Sequence, residues 1–132
     1  MYGDLELLDV MYNKLWKAEG LAELLGDPKT PRERNERIRR EITPDKLVTV
    51  DKVNFLSMYF SAAIETNNIY VVRGFLHVDY YTKNREDLRK IQRIVKREFE
   101  KNYLLRTSFC NFESYTKGVV CYEEKYRPLI FA

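Results

Sequence analysis

The chain is poor in the residues that build reactive centres. It has two cysteines, Cys110 and Cys121, and one histidine, His77. Structural zinc takes Cys, His or carboxylate ligands at short spacings, and two cysteines with ten residues between them do not supply that pattern. The five glycines are scattered, so no glycine-rich loop cradles a phosphate, and the Gly-x-Ser-x-Gly elbow is absent. No apolar run approaches the roughly 18 residues that a membrane-spanning helix needs. The opening Met1-Tyr2-Gly3-Asp4-Leu5-Glu6 is acidic rather than basic and then apolar, so no secretory signal is expected. A reducing cytoplasm then keeps both thiols free, and a Cys110–Cys121 disulfide is not expected. Neither an internal repeat nor a low-complexity tract is present. A general base at His77, oriented by Asp79, would need a nucleophile fixed nearby, and no motif provides one. His77 is instead expected to be a partly buried polar residue on a sheet. These absences predict no enzyme, no cofactor and no metal.

What is abundant is aromatic. Ten tyrosines and seven phenylalanines stand among 132 residues, too many for every ring to lie in one core. Aromatic rings also anchor interfaces, because they bring large contact area at low entropy cost. The length predicts a single domain over residues 1–132 that buries about 68% of its unfolded surface, without a metal or disulfide staple. The net charge is +3 and the pI about 8.8, a mildly basic balance that permits a nucleic-acid contact without demanding one.

The clearest local signal is a β-β-α unit over residues 55–99. Alternation places Leu56, Met58, Phe60 and Ala62 on one face of a first strand, and Val72, Leu76, Val78 and Tyr80 on one face of a second. Glu65-Thr66-Asn67-Asn68 supplies turn chemistry between them. Asn84 caps a helix in which Leu88, Ile91, Val95 and Phe99 recur at helical spacing. Upstream, Leu5, Leu8, Met11, Leu15 and Trp16 predict a helix over 4–25, with a bend or break at Gly20 and a stop at Gly26-Asp27-Pro28. Downstream, 107–116 and 119–126 predict a second hairpin. The order is α-β-β-α-β-β. It predicts an α+β two-layer sandwich: a four-stranded, mainly antiparallel sheet with two main helices on one face.

Three surfaces stand out. If helices cover one face of the sheet, Phe55, Tyr59, Phe75 and Tyr81 form an exposed patch on the other, the kind that marks a partner. The segment 29–51 is charged almost throughout, with Arg37, Arg39 and Arg40 flanking Ile38, its one large apolar residue before Ile42. It is a loop or a short helix after Thr30-Pro31. With no apolar face it is expected to be mobile in an isolated subunit and ordered in an assembly. The third surface is the apolar tail Leu129, Ile130 and Phe131, which packs on its own domain or on a neighbour. Arg85, Arg89, Lys90, Arg93, Lys96 and Arg97 crowd the second helix, a solvated face or a contact for phosphate or an acidic partner.

The opening helix, the strand with Tyr59-Phe60-Ser61, the stretch Tyr70-Val71-Val72-Arg73-Gly74-Phe75-Leu76-His77-Val78-Asp79, the helix 84–102 and the closing hairpin make the chain similar to the tail-terminator and tail-completion proteins of long-tailed bacteriophages. The resemblance implies a structural virion protein. It would form a homo-oligomeric ring, commonly a hexamer, that caps the tail tube and joins it to the head. Its partners would be the major tail tube protein and a head-completion protein, with a transient DNA contact possible in the basic helix and no membrane. It would be made in the host cytoplasm and end in the virion tail. The interface would draw on Arg37, Arg39, Arg40, Phe55, Tyr59, Phe75, Tyr81, Leu129, Ile130 and Phe131. The alternative is an RNA- or DNA-binding domain of ferredoxin-like or RNA-recognition type, whose sheet aromatics stack on bases. Of that pattern only Arg73-Gly74-Phe75-Leu76 is present, as a fragment.

Overall fold

The computed structural model describes residues 4–61, 64–65, 72–73, 75–114 and 116–128. The chain is α+β. Its described elements are α1 (Asp4–Lys17), α2 (Leu21–Leu24), α3 (Pro31–Arg37), β1 (Ile38–Arg39), β2 (Phe55–Phe60), β3 (Ile64–Glu65), β4 (Val72–Arg73), β5 (Leu76–Thr82), α4 (Arg85–Lys101), β6 (Leu104–Phe112) and β7 (Val120–Pro128).

Five strands form one sheet in the order β1-β2-β5-β7-β6. β1 runs parallel to β2, and the remaining neighbours are antiparallel. The sheet is therefore mixed and five-stranded, where four mainly antiparallel strands were expected. The added strand is two residues long, too short to show alternation in sequence. It exists because Ile38 pairs opposite Leu56 and is fully buried. β3 and β4 pair with each other as a separate two-stranded sheet. The turn expected beyond Glu65, and the tail Leu129, Ile130 and Phe131, lie outside the described residues.

The period-two pattern places its apolar face as expected. Leu56, Met58, Leu76, Val78 and Tyr80 meet Leu8, Met11 and Leu15 of α1, Leu21 of α2, and Ile91, Val95 and Phe99 of α4 in one core. Each such side chain contributes roughly 1.5–3 kcal/mol by leaving water. The opening helix breaks where glycine allows it. Gly20 sits at φ 86° just before α2, a left-handed conformation that costs glycine little. α4 starts where its cap is, with Asn84 Oδ1 accepting the Asp87 N–H at 2.8 Å. β6 begins at Leu104, three residues before the expected strand, and it carries a bulge between Arg106 and Ser108. The bulge shifts the alternation by one residue, so the two halves of β6 do not read as one strand.

The charged segment is part of the fold rather than an unpartnered loop. Thr30 Oγ1 accepts the Glu33 N–H and caps α3, with Pro31 in the first turn. Arg37 donates to the carbonyls of Lys52 and Asn54, at 2.9 and 3.2 Å. Arg40 pairs with Asp9 at 2.5 Å and lies 4.2 Å over the Tyr12 ring. Hydrogen bonds to backbone carbonyls, an ion pair with Asp9 and the buried side chains of Ile38 and Val48 thus tie this stretch to the rest of the chain.

One acidic side chain lies wholly inside. Glu124 of β7 is fully buried. It accepts hydrogen bonds from the Tyr80 hydroxyl, the Tyr126 hydroxyl at 3.0 Å, Gln92 Nε2 at 3.0 Å and Arg106 Nη1 at 3.1 Å. A carboxylate this deep is tolerated only when paired and fully hydrogen-bonded. Burial, and then the charge of Glu124, push the Tyr80 hydroxyl well above its ordinary value, which keeps it a donor. Glu124→Ala is expected to cost about 3–5 kcal/mol in chemical denaturation, because Arg106 and two tyrosines lose their acceptor together. A variant as stable as the parent would show that the network does not hold the fold.

Candidate functional site

The aromatic residues expected on an open sheet face are mostly covered. Phe55 and Tyr81 are only 2% and 6% exposed. They stack on each other at 4.7 Å, and Phe112 meets Tyr81 edge-on at 5.7 Å. Val48, Val53, Val119 and Cys121 complete this second core. The cover comes from the segment after α3, where Val48 is buried and its carbonyl accepts the Thr116 hydroxyl at 2.6 Å. Tyr59 is half-buried, and only Phe75 of the four is well exposed, at 42%. This removes the open stacking platform that a domain of RNA-recognition type would need. Arg37 and Arg40 are engaged within the chain as described, and Arg39 pairs with Glu41 at 2.8 Å. The structure therefore brings Phe55 and Tyr81 together, turns Tyr59 to His77 and Asp79, and leaves only Phe75 of that set well exposed.

Beside the second core the register gathers polar groups that are distant in sequence. Asp79 lies between Ser57 and Glu123, and His77 between Tyr59 and Lys125. Tyr59 stacks on His77 at 4.8 Å and donates its hydroxyl to Asp79 Oδ2 at 3.0 Å. His77 Nδ1 is 4.0 Å from Glu123. Asp79 accepts from Tyr59 and not from His77, whose two ring nitrogens have no hydrogen-bond partner. Burial lowers the His77 pKa. Burial, then the hydrogen bond and charge of Glu123, push Asp79 up to about 7. No nucleophile among the described residues is hydrogen-bonded to His77. Among the described residues, no group of three or more His, Cys, Asp or Glu is arranged to hold a metal ion. Cys110 is exposed and Cys121 buried, both as free thiols. Burial pushes Cys121 up to about 11.

A concavity opens on the helix side of the sheet. A groove of about 800 Å³ runs between the first half of α4 and the β6–β7 hairpin. Arg85, Arg89 and Gln92 form one wall, Arg106 and Asn111 stand on the sheet, and Lys117 is at the turn. Gly118 makes that turn at φ 86°, where a side chain would be strained. Phe109 lies next to the groove on the same face of β6, 60% exposed, with the Arg106 guanidinium 4.3 Å from its ring centre and Tyr122 at 6.3 Å. Sequence reasoning named the helical arginines but missed Arg106, Phe109 and Lys117. The cross-strand register and the bulge decide which way those residues face.

β6 is also the last strand of the sheet, so one side of its nine residues has no neighbouring strand among the described residues. Leu105 on this edge is 52% exposed. No family model, curated protein or solved structure matches the chain.

The polar cluster sets a pH dependence. With a folded value near 7 against about 3.9 unfolded, Asp79 binds a proton in the folded state that the unfolded chain has lost. Its contribution to stability therefore falls as pH rises from about 4 to about 7. Asp79→Asn is expected to raise the thermal midpoint more at pH 8 than at pH 5, as read by thermal unfolding at both. An equal gain at the two values would mean that Asp79 carries no such penalty.

Proposed function

We propose that the chain is an assembly protein that joins copies of itself edge to edge into a ring. The observation that carries this reading is the edge of β6, nine residues long and without a strand partner among the described residues, with the large apolar side chain of Leu105 exposed on it. Long unpaired edges are templates for another strand, and natural monomers blunt them. The opposite edge of the sheet is β1, only two residues long. A contact that joins unlike surfaces is heterologous, and it closes into a ring when its rotation divides the circle.

The biological setting is proposed from the order α-β-β-α-β-β expected from the sequence. That order resembles phage tail terminators, so the ring is proposed to be a hexamer that caps the tail tube. Its neighbours would be the tube protein on one side and a head-completion protein on the other, assembled in the host cytoplasm and retained in the virion tail. The apolar tail Leu129, Ile130 and Phe131 is a second proposed contact. The buried Phe55 and Tyr81 no longer belong to that surface.

Multi-angle light scattering across a concentration series, with and without the tube protein, tests this. The parent chain is expected to show a ring-sized species in at least one of the two conditions. Leu105→Lys is expected to shift it to monomer with a thermal midpoint nearly unchanged, since an edge lysine opposes strand addition. Assembly of the lysine variant at the parent's concentration would remove the β6 edge from the interface.

A further inference from the structure

We propose that the groove between α4 and the β6–β7 hairpin binds single-stranded nucleic acid. This inference is independent of the ring. It starts from how α4 distributes its charge. Each acidic residue of the helix is taken by a lysine: Glu86 by Lys90, Asp87 by Lys83, Glu98 by Lys101 and Glu100 by Lys96. Arg85, Arg89, Arg93 and Arg97 are all exposed, and they make no ion pair among the described residues. They recur at every fourth position, a rise of about 6 Å per step, and so form a ridge about 18 Å long. Exposed arginines left without carboxylates are matched to phosphate, because the planar guanidinium binds two oxygens at once.

The ridge leads into the groove. Arg85 and Arg89 line it, with Lys117 at the hairpin turn. Its volume of about 800 Å³ is at the upper end of ligand sites, which span about 300–1,000 Å³. Glu113 is the one acidic residue on the rim, and Asp or Glu otherwise does not line it.

Beside this basic wall stands an aromatic ring with no core to fill. Phe109 is 60% exposed and points to the helix side of the sheet, opposite Glu124. It is held in place by Arg106, which lies over the ring at 4.3 Å while bonding the buried Glu124 at 3.1 Å. An exposed, positioned ring next to a phosphate-binding wall is the arrangement that holds an unpaired strand, since bases stack on the ring while cations track the backbone. A duplex keeps its bases stacked on each other and has no use for Phe109. An acidic protein would use the arginines but not the ring.

Fluorescence anisotropy with a labelled oligothymidine of about 15 nucleotides tests the proposal on the full chain. A duplex of equal length and heparin serve as comparisons. The single strand is expected to bind at roughly 50 mM salt and to weaken steeply toward 200 mM. Arg85→Ala/Arg89→Ala is expected to weaken binding and to reduce the slope of log K against log salt by about 1.4, at about 0.7 per phosphate contact. Phe109→Ala is expected to weaken it roughly tenfold with the slope unchanged. The control Arg32→Ala/Arg34→Ala removes the same charge from exposed positions of α3 and is expected to change nothing. Absence of binding at low salt overturns the proposal, and so does equal weakening by the control pair. Tighter binding of duplex or heparin, with no effect of Phe109→Ala, would show a polyanion surface and overturn the single-strand site.

Discussion

Glu124 needs donors from every element that surrounds it, and that requirement organises the molecule. A carboxylate inside a sheet–helix interface has lost its hydration, so each unmet lone pair is expensive. Tyr80 of β5, Gln92 of α4, Arg106 of β6 and Tyr126 of β7 meet this need. The four donors reach one residue only if three strands hold their register and α4 sits at one rotation and one height above them. Apolar packing alone is less particular, since cores accept many hydrophobic combinations of similar volume. The same network fixes Arg106, and Arg106 in turn steadies the exposed Phe109 ring. The proposed groove thus takes its shape from a group buried behind it.

The two faces of the sheet are closed by different means. On one, three helices deliver the main core. On the other, chain with little regular structure lies over Phe55 and Tyr81, and it is held by a few polar fasteners. Thr43 bonds Ser57, and Arg37 ties α3 to two carbonyls after it. Buried Asn54, just before β2, ties the strand to the helix side instead: it donates to the Leu24 carbonyl and to Asp87, and it accepts from the Lys83 N–H. Closing this face leaves the assembly reading with the sheet edge rather than the sheet surface. It also leaves the binding reading with the helix side, where the groove lies between α4 and the β6–β7 hairpin.

Much of the fold was legible in the sequence because it follows from local periodicity. Alternation expected over 55–62 and 70–82, the i, i+3, i+4 stripe of α4, the Asn84 cap and the break at Gly20 are all properties of neighbouring residues; β2 and β5 fill 55–60 and 76–82 of those stretches, while Val72–Arg73 pairs in a separate sheet. The start of α3 was equally visible in Thr30-Pro31, as the helical option for that stretch, because Pro suits the first helical position. Local pattern failed where a residue's fate depends on a distant partner. Ile38 becomes a strand residue only by lying beside Leu56, and a two-residue strand has no period to read.

The amino-acid sequence by itself determined the α+β class, the inward face of the central strands and the basic character of α4. Each of these is set by side chains within a few positions of one another. Tertiary structure alone decided that Phe55 and Tyr81 are core, that Asp79 lies against Glu123, and that Glu124 is buried while its neighbour Glu123 is not fully so. Those outcomes depend on cross-strand register and on a bulge in β6, which bring together residues tens of positions apart. The free energy of such pairings comes from desolvation and hydrogen bonding between groups that do not meet until the chain has folded.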